Sequence, residues 1–187
     1  MKEKIRPDKT WTLFLDRDGV INKRIIDDYV KNIDEFIFLD GVLDALKIFS
    51  RLFGRIIVVT NQRGIARGLM DAADLELINQ YMVTEVKNNG GRIDSIYHCP
   101  HDKDENCLCR KPEPGMLIEA QNDYPEIDFS KSVMVGDSDS DMELGRSKGL
   151  KNVFISDAAG ADPADVSADM LFPSLIDFAR YLINVQV

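Results

Sequence analysis

Short apolar runs that suit β-strands alternate with helical patterns along the 187 residues of this chain. The run Ile56-Ile57-Val58-Val59 is wholly β-branched, which is typical of a strand buried on both faces. Because strands that alternate with helices form parallel sheets, we predict an open, mainly parallel sheet with helices on both faces. The predicted strands cover 12–15, 55–60, 93–97, 132–135, 152–155 and 169–172, and the predicted helices cover 41–53, 71–89, 114–122, 139–148 and 174–184.

The composition limits the classes of function that the chain can have. Its net charge is −9, from 32 acidic and 23 basic residues, and so acidic a chain is unsuited to the many Lys/Arg–phosphate contacts of a non-specific nucleic-acid binder. No apolar run approaches membrane-spanning length, and residues 1–8 lack the apolar core of a signal peptide. We therefore expect a cytoplasmic, monomeric protein with one domain over residues 1–187 and no nucleic-acid or membrane partner.

Two aspartates, Asp16 and Asp18, follow the first predicted strand and precede Gly19. Side chains two apart on an extended segment point the same way, so the two carboxylates converge at the end of the strand. Such charges repel unless a cation lies beside them, and a hard divalent ion such as Mg²⁺ suits oxygen ligands. A carboxylate beside Mg²⁺ can attack a phosphoryl group, although an acidic strand-to-turn corner is the ordinary alternative.

Further polar segments follow other predicted strands, and one follows the cysteine cluster. We expect them at the carboxyl edge of the sheet, where ligands bind in folds of this kind. Asp16 would be the nucleophile and a metal ligand, and Asp18 would protonate the leaving oxygen and then activate water. Thr60 would hold phosphoryl oxygens, Lys111 would neutralise the transferring group, and Asp137 would complete the metal site. Taken singly, Thr60 could belong to a turn after a strand, and Lys111 could be an ordinary solvated lysine. The occurrence of all these residues together, in this order, favours phosphoryl transfer.

All three cysteines and both histidines lie between residues 98 and 109. Three thiolates and one imidazole make a closed tetrahedral set suited to Zn²⁺, so we predict a structural zinc site in the loop 98–112. The site would orient the cations that follow the last cysteine, and buried free thiols or a redox pair are the alternatives. The predicted zinc ligands are Cys99, His101, Cys107 and Cys109.

Five segments carry a family resemblance: Asp16-Arg17-Asp18-Gly19-Val20-Ile21-Asn22, the residues 60–68, Cys99-Pro100-His101, Cys107-Leu108-Cys109-Arg110-Lys111-Pro112 and Gly136-Asp137. They resemble the D-x-D phosphatases of the haloacid dehalogenase (HAD) superfamily, in the branch of heptose-bisphosphate phosphatases and histidinol-phosphatases. The resemblance implies a three-layer α/β/α Rossmann-like fold with a zinc-stapled loop, and Mg²⁺-dependent phosphomonoester hydrolysis through an aspartyl-phosphate. It also implies that Asp18 offers the metal its backbone carbonyl, that Asp141 supports the metal site, and that the zinc ligands are the same four residues.

The substrate expected from this resemblance is D-glycero-D-manno-heptose 1,7-bisphosphate, losing its 7-phosphate, because the segments 28–30, 34–42, 64–68 and 111–116 resemble that branch. The five residues between His101 and Cys107 are instead closer to the histidinol-phosphatases. A non-catalytic metal-binding module and a polynucleotide 3′-phosphatase are further alternatives, which the free second carboxylate and the acidic charge disfavour. The predicted substrate contacts are Arg17, Arg24, Tyr29, Asn61, Arg63 and Arg110.

Overall fold

The computed structural model describes residues 5–157 and 162–186, and within them six strands form one sheet. The strands are β1 Thr12–Leu15, β2 Arg55–Asn61, β3 Ser95–Cys99, β4 Ser132–Gly136, β5 Lys151–Ile155 and β6 Met170–Phe172. Their order is β3-β2-β1-β4-β5-β6, and every neighbouring pair is parallel. The first strand therefore lies inside the sheet, between β2 and β4.

Helices cover both faces of this sheet. They are α1 Val42–Leu52, α2 Ala72–Asn88, α3 Gly115–Asp123, α4 Asp139–Lys148 and α5 Leu175–Gln186, with short 3-10 helices at Ile33–Glu35, Lys103–Glu105 and Phe129–Lys131. One core contains the apolar faces of α1, α2 and α5, and the opposite core contains those of α3 and α4. The predicted three-layer α/β/α fold with a parallel central sheet is confirmed. None of the helices described is long and apolar enough to cross a membrane.

The strand β1 is buried on both faces, and its side chains alternate between the two cores. Leu13 and Leu15 pack with α1, α2 and α5, whereas Phe14 packs with α3 and α4. All three are fully buried, and burial of a side chain of this size contributes about 1.5–3 kcal/mol. Since β2 and β4 both pair with β1 in parallel register, the residue that follows β1, Asp16, has a fixed position.

The strand β3 begins two residues later than predicted, which matters for the metal-binding loop. Asp94 Oδ2 accepts a hydrogen bond from the backbone N–H of Ile56 at 2.7 Å, and the Asp94 N–H donates to the Ile56 carbonyl at 2.8 Å. The Asp94 side chain thus takes a place that a ladder carbonyl would otherwise fill. The strand runs on to Cys99, so the first predicted zinc ligand is the last residue of a strand.

Candidate active site

The side chains predicted to do chemistry meet at the carboxyl ends of the central strands. Asp16 follows β1, Thr60 lies near the end of β2, and Asp137 follows β4. Lys111 comes from the loop between β3 and α3, and its ammonium donates to the Val59 carbonyl at 3.0 Å. The strand order β2-β1-β4 therefore brings the predicted catalytic set together.

Gly19 allows the segment after β1 to approach Asp137 closely. Its φ is +97°, a conformation that L side chains rarely adopt, and its N–H donates to the Asn22 carbonyl at 2.7 Å. A Cβ added at this position would lie 1.8 Å from Asp137 Oδ2. Only glycine lets the turn that carries Asp18 lie against the aspartate that follows β4.

Lys111 is buried between two carboxylates. Its Nζ lies 2.7 Å from Asp16 Oδ1 and 2.7 Å from Asp141 Oδ1. Burial would lower the pKa of Lys111, but the charges of Asp141 and Asp16 outweigh it and hold that pKa above its ordinary value. Asp141 Oδ2 also accepts from the hydroxyl and backbone N–H of Ser138, which precedes α4, at 2.6 and 3.2 Å. The predicted supporting carboxylate is thus held from two sides.

The other two carboxylates of this cluster, Asp16 and Asp137, both have raised pKa values. Burial raises the pKa of Asp16 to about 7, with Lys111 opposing and Asp141 and Asp137 adding to the increase. Burial also raises the pKa of Asp137 to about 6, opposed chiefly by Arg24. Carboxylates in such surroundings take up a proton or bind a cation, and a divalent metal ion would keep both ionised.

Three oxygen atoms converge on one guanidinium nitrogen of Arg24. Its Nη2 lies 2.7 Å from Asp137 Oδ1, 3.1 Å from the backbone carbonyl oxygen of Asp18 and 3.9 Å from Asp16 Oδ2. Two carboxylates and one carbonyl are hard oxygen donors of the kind Mg²⁺ prefers, with waters filling the remaining positions. The residues predicted to hold the metal therefore fit it in chemistry and in mutual position.

The carboxylate of Asp18 has three hydrogen-bonding neighbours. Arg17 Nη2 donates to both carboxylate oxygens at 3.1 and 2.9 Å, Asn22 Nδ2 donates to Oδ1 at 2.9 Å, and Gln62 Nε2 donates to Oδ2 at 2.8 Å. Burial would raise the pKa of Asp18, but the Arg17 charge and these hydrogen bonds outweigh it and lower the pKa. Asp18 also lines the cleft described below, so it can exchange a proton with a ligand there.

Gln62 and Asn22 are site residues for which the sequence reasoning found no role. Gln62 is fully buried, and its Nε2 donates to Thr60 Oγ1 at 2.8 Å as well as to Asp18. Because the Thr60 oxygen accepts this hydrogen bond, its own proton is left to donate to a phosphoryl oxygen. The available signal was an amide side chain shortly after two of the predicted catalytic residues, Asn22 after Asp18 and Gln62 after Thr60.

The four predicted zinc ligands form a compact cluster at the end of β3. Cys99 Sγ lies 2.9 Å from Cys109 Sγ and 3.5 Å from Cys107 Sγ, and the three cysteines are free. His101 Nδ1 lies 3.5 Å from Cys99 Sγ and 3.2 Å from Cys109 Sγ. Ligand atoms around a tetrahedral Zn²⁺ lie about 3.5–3.8 Å apart, since Zn–S and Zn–N bonds are about 2.0–2.3 Å. The cluster fits such an ion after a small expansion.

Arg110 and Lys111, which follow this cluster in the chain, connect it to the active site. The Lys111 N–H donates to Asn61 Oδ1 at 3.0 Å, and Asn61 Nδ2 donates back to the Lys111 carbonyl at 3.3 Å. Arg110 Nη1 donates to the His101 carbonyl at 3.3 Å. The backbone of Lys111 is therefore tied to the end of β2, and the side chain of the preceding residue, Arg110, is tied to His101.

A cleft of about 1190 Å³ opens above Asp16. It is lined by five of the six predicted substrate contacts: Arg24, Tyr29, Asn61, Arg63 and Arg110. The cations Arg67 and Lys103 line it as well. Arg63 also has a structural role, because its Nε lies 2.6 Å from Asp102 Oδ1 and so joins the segment after β2 to the metal-binding loop. Acidic side chains line the same cleft beside these cations, namely Asp16, Asp18, Asp27, Asp28, Asp102 and Glu113.

The structure contradicts the predicted substrate contact of Arg17. This side chain is fully buried, its Cζ lies 5.9 Å from the centre of the Phe36 ring, and its Nη2 is bonded to Asp18. A residue between two side chains that point the same way on an extended segment must itself point elsewhere. Arg17 therefore supports Asp18 from behind and does not reach the cleft.

Comparisons with known proteins agree with this geometry. A family model described as HAD-hydrolase-like matches residues 108–177. The D-glycero-α-D-manno-heptose-1,7-bisphosphate 7-phosphatase of Mycobacterium tuberculosis (strain ATCC 25618 / H37Rv) is 39% identical over 167 residues, which cover 87% of this chain and 88% of the relative. The D-glycero-β-D-manno-heptose-1,7-bisphosphate 7-phosphatase of Escherichia coli (strain K12) is 38% identical over 183 residues, which cover 93% and 94%.

A solved structure shows the same similarity in three dimensions. The D,D-heptose 1,7-bisphosphate phosphatase from B. bronchiseptica, complexed with magnesium and phosphate, has a TM-score of 0.81 and 33% sequence identity to this chain. The match covers 94% of this chain and 99% of that protein. The similarity therefore extends over nearly the whole fold.

Proposed function

This chain belongs to the HAD-like phosphatases, in the family of the heptose-1,7-bisphosphate 7-phosphatases, and we propose that it removes the 7-phosphate of D-glycero-D-manno-heptose 1,7-bisphosphate. The observation that carries the chemistry is the pairing of two different carboxylates. Asp16 is buried against Lys111 and beside the three convergent oxygens, while Asp18 stands apart among hydrogen-bond donors. One group is placed to attack phosphorus and the other to move a proton.

In the first half-reaction, a carboxylate oxygen of Asp16 bonds to phosphorus and the bond from phosphorus to the sugar oxygen breaks. The Thr60 hydroxyl donates to a non-bridging oxygen, and Lys111 holds Asp16 in place and offsets negative charge. Asp18 protonates the departing sugar oxygen. The negative phosphoryl group beside Asp18 raises its pKa, which makes the proton available despite the donors that favour its ionised form.

In the second half-reaction, water attacks the phosphorus of the aspartyl-phosphate. Asp18, now ionised, takes the proton of that water, and the donors from Arg17, Asn22 and Gln62 favour this form. The bond between phosphorus and Asp16 breaks, which releases inorganic phosphate and restores the Asp16 carboxylate. The same side chain thus acts first as acid and then as base.

Mg²⁺ would be held by Asp16, the backbone carbonyl of Asp18 and Asp137, with Asp141 supporting the site through Lys111. When bound, this ion supplies charge stabilisation to the phosphoryl oxygens. Zn²⁺ would be held by Cys99, His101, Cys107 and Cys109 and would have a structural role, since four protein ligands leave no open position.

The zinc assignment predicts about one zinc ion per chain in the purified protein, measured by inductively coupled plasma mass spectrometry. Cys109→Ser is expected to lose this zinc and to lower kcat about tenfold or more, because the loop that positions Lys111 loses its anchor. The matched control is His98→Gln, a histidine outside the cluster, which should keep its zinc. Full zinc content in Cys109→Ser would contradict the assignment.

The cations of the cleft support a substrate with a second anionic group. Lys111 serves the transferring phosphate, while Arg63, Arg67, Lys103 and Arg110 lie on the walls and can face another phosphate. Histidinol phosphate is the second candidate, favoured by the five-residue spacing in the zinc loop. A non-catalytic metal-binding module is the third, and the separate position of Asp18 opposes it.

The function is tested by phosphate release in MgCl₂ from both anomers of D-glycero-D-manno-heptose 1,7-bisphosphate and from histidinol phosphate. We expect kcat/KM for the bisphosphate to exceed that for histidinol phosphate by about 10²-fold or more, because the second phosphate meets cations only in the bisphosphate complex. A preference for histidinol phosphate would mean that the spacing in the zinc loop predicts the substrate better than the segments that resemble the heptose-bisphosphate branch. No release from any of them, with both metals bound, would favour the non-catalytic module.

The remaining expectations concern the context of the enzyme. A single domain over residues 1–187, a monomeric state, a cytoplasmic location and the lack of nucleic-acid or membrane partners stay predictions.

A further inference from the structure

Arg24 lies on the oxygen atoms that are expected to bind the catalytic metal. One nitrogen, Nη2, lies within 3.1 Å of both Asp137 Oδ1 and the Asp18 carbonyl oxygen, and 3.9 Å from Asp16 Oδ2. Mg²⁺ binds oxygen at about 2.0–2.1 Å, so an ion on these atoms would lie almost in contact with this nitrogen. The ion and the guanidinium would repel each other at so short a distance, so both cannot keep these positions.

The net charge of the cluster also favours replacement of Arg24 by the metal ion over the presence of both cations. Three carboxylates, Asp16, Asp137 and Asp141, face two cations, Lys111 and Arg24, so the cluster has one excess negative charge when all are ionised. Replacing Arg24 by a divalent ion would make the cluster neutral. Adding the ion without moving Arg24 would leave one excess positive charge instead.

Of the two cations, Arg24 is the one that can leave at low cost. Its side chain is 48% exposed, whereas that of Lys111 is 2% exposed and is also bonded to the Val59 carbonyl. Arg24 already lines the cleft, so a guanidinium that leaves the carboxylates stays where an anionic ligand enters.

We propose that Arg24 is a built-in competitor of the catalytic metal ion: without the metal it forms an ion pair with Asp137 and donates a hydrogen bond to the Asp18 carbonyl, and it is released into the cleft when the metal binds. This inference rests on the proposed metal site. Its consequence is that metal loading exposes an additional cation for a phosphorylated substrate, so that metal and substrate favour one another. Arg24 acts on the metal site as a positioning residue.

The test is the affinity of the full-length, zinc-containing protein for MgCl₂ alone, measured by isothermal titration calorimetry without substrate or phosphate. Arg24→Ala is expected to bind Mg²⁺ about three- to fivefold more tightly than the unmodified protein, which is the size of a half-exposed ion pair. Without Mg²⁺, the same variant should melt at a lower temperature, because Asp137 loses its partner, and with saturating Mg²⁺ the difference should vanish. The charge-matched control is Arg67→Ala, a cleft arginine, which should change neither quantity in this way.

The outcomes separate this inference from the metal site itself. Unchanged or weaker Mg²⁺ binding by Arg24→Ala would overturn the competition, and equal tightening by Arg67→Ala would reduce it to a general effect of charge. Asp137→Asn should weaken Mg²⁺ binding strongly if the ion occupies the proposed site. If Asp137→Asn binds as tightly as the unmodified protein, or if no variant binds Mg²⁺, the proposed metal site fails and the competition fails with it.

Discussion

Asp16→Asn is expected to lower the rate of phosphate release by about 10³-fold or more, because an amide cannot form the aspartyl-phosphate. The substitution keeps the size of the side chain, and its Oδ1 can still accept from the Arg17 N–H and from Lys111, which lie at 2.7 Å in the unmodified protein. The loss should therefore appear in kcat with little change in fold. The measurement is phosphate release from the heptose bisphosphate at saturating Mg²⁺, with circular dichroism as the check of folding.

The matched control for this variant is Asp27→Asn, which removes a carboxylate from the wall of the same cleft. Asp27 has φ +58°, a conformation that asparagine tolerates well, so the backbone should not be strained. This control should retain most of the activity. If Asp16→Asn kept a tenth or more of the unmodified rate, the covalent role of Asp16 would have to be abandoned.

Lys111→Met is expected to lower the free energy of unfolding by about 3–5 kcal/mol, because it leaves Asp16 and Asp141 buried without their shared cation. The Lys111 ammonium lies 2.7 Å from each carboxylate, and its side chain is 2% exposed, so solvent screens this interaction little. Without Lys111, the pKa of Asp16 should rise above its value of about 7, since that charge now lowers it. Both stability and turnover should therefore fall.

The stability change is measured by urea denaturation in buffer without Mg²⁺, and a loss of this size corresponds to a decrease in Tm of about 10 °C. Lys103→Met is the control, because this lysine also lines the cleft but is exposed. Its stability should change by less than about 0.5 kcal/mol. A Lys111→Met protein as stable as this control would show that the buried carboxylates are protonated or solvated instead of paired.

The family, the fold class and the grouping of the candidate catalytic residues at one sheet edge could be predicted because they depend on short-range patterns. Apolar strands alternating with helices require a parallel sheet, and a parallel sheet brings the residues that follow its central strands to one edge. Asp16, Thr60 and Asp137 needed no more than this rule. The compact cluster of cysteines and histidine was predictable for the same reason, since its four members lie within eleven residues, from Cys99 to Cys109.

The roles of the arginines could not be predicted in this way. Every arginine concerned is a cation in or near a motif, and the sequence does not show in which direction its side chain points. Arg17 is buried behind Asp18, Arg24 donates to the Asp18 carbonyl, and Arg63 pairs with Asp102. Each partner lies on a segment whose position depends on the packing of the whole chain. A loop has no regular periodicity, so its local sequence pattern does not show where a side chain points.

The sequence by itself therefore determined the parallel α/β fold, the aspartate pair and the cluster of three cysteines and one histidine, because hydrophobic periodicity and residue spacing are properties of neighbouring residues. Only the tertiary structure decided that Lys111 is shared by Asp16 and Asp141, that Gln62 serves both Thr60 and Asp18, and that Arg24 lies against Asp137. These contacts join residues up to 113 positions apart. Lys111 and Gln62 make these contacts because burial leaves each of them with few partners to choose from.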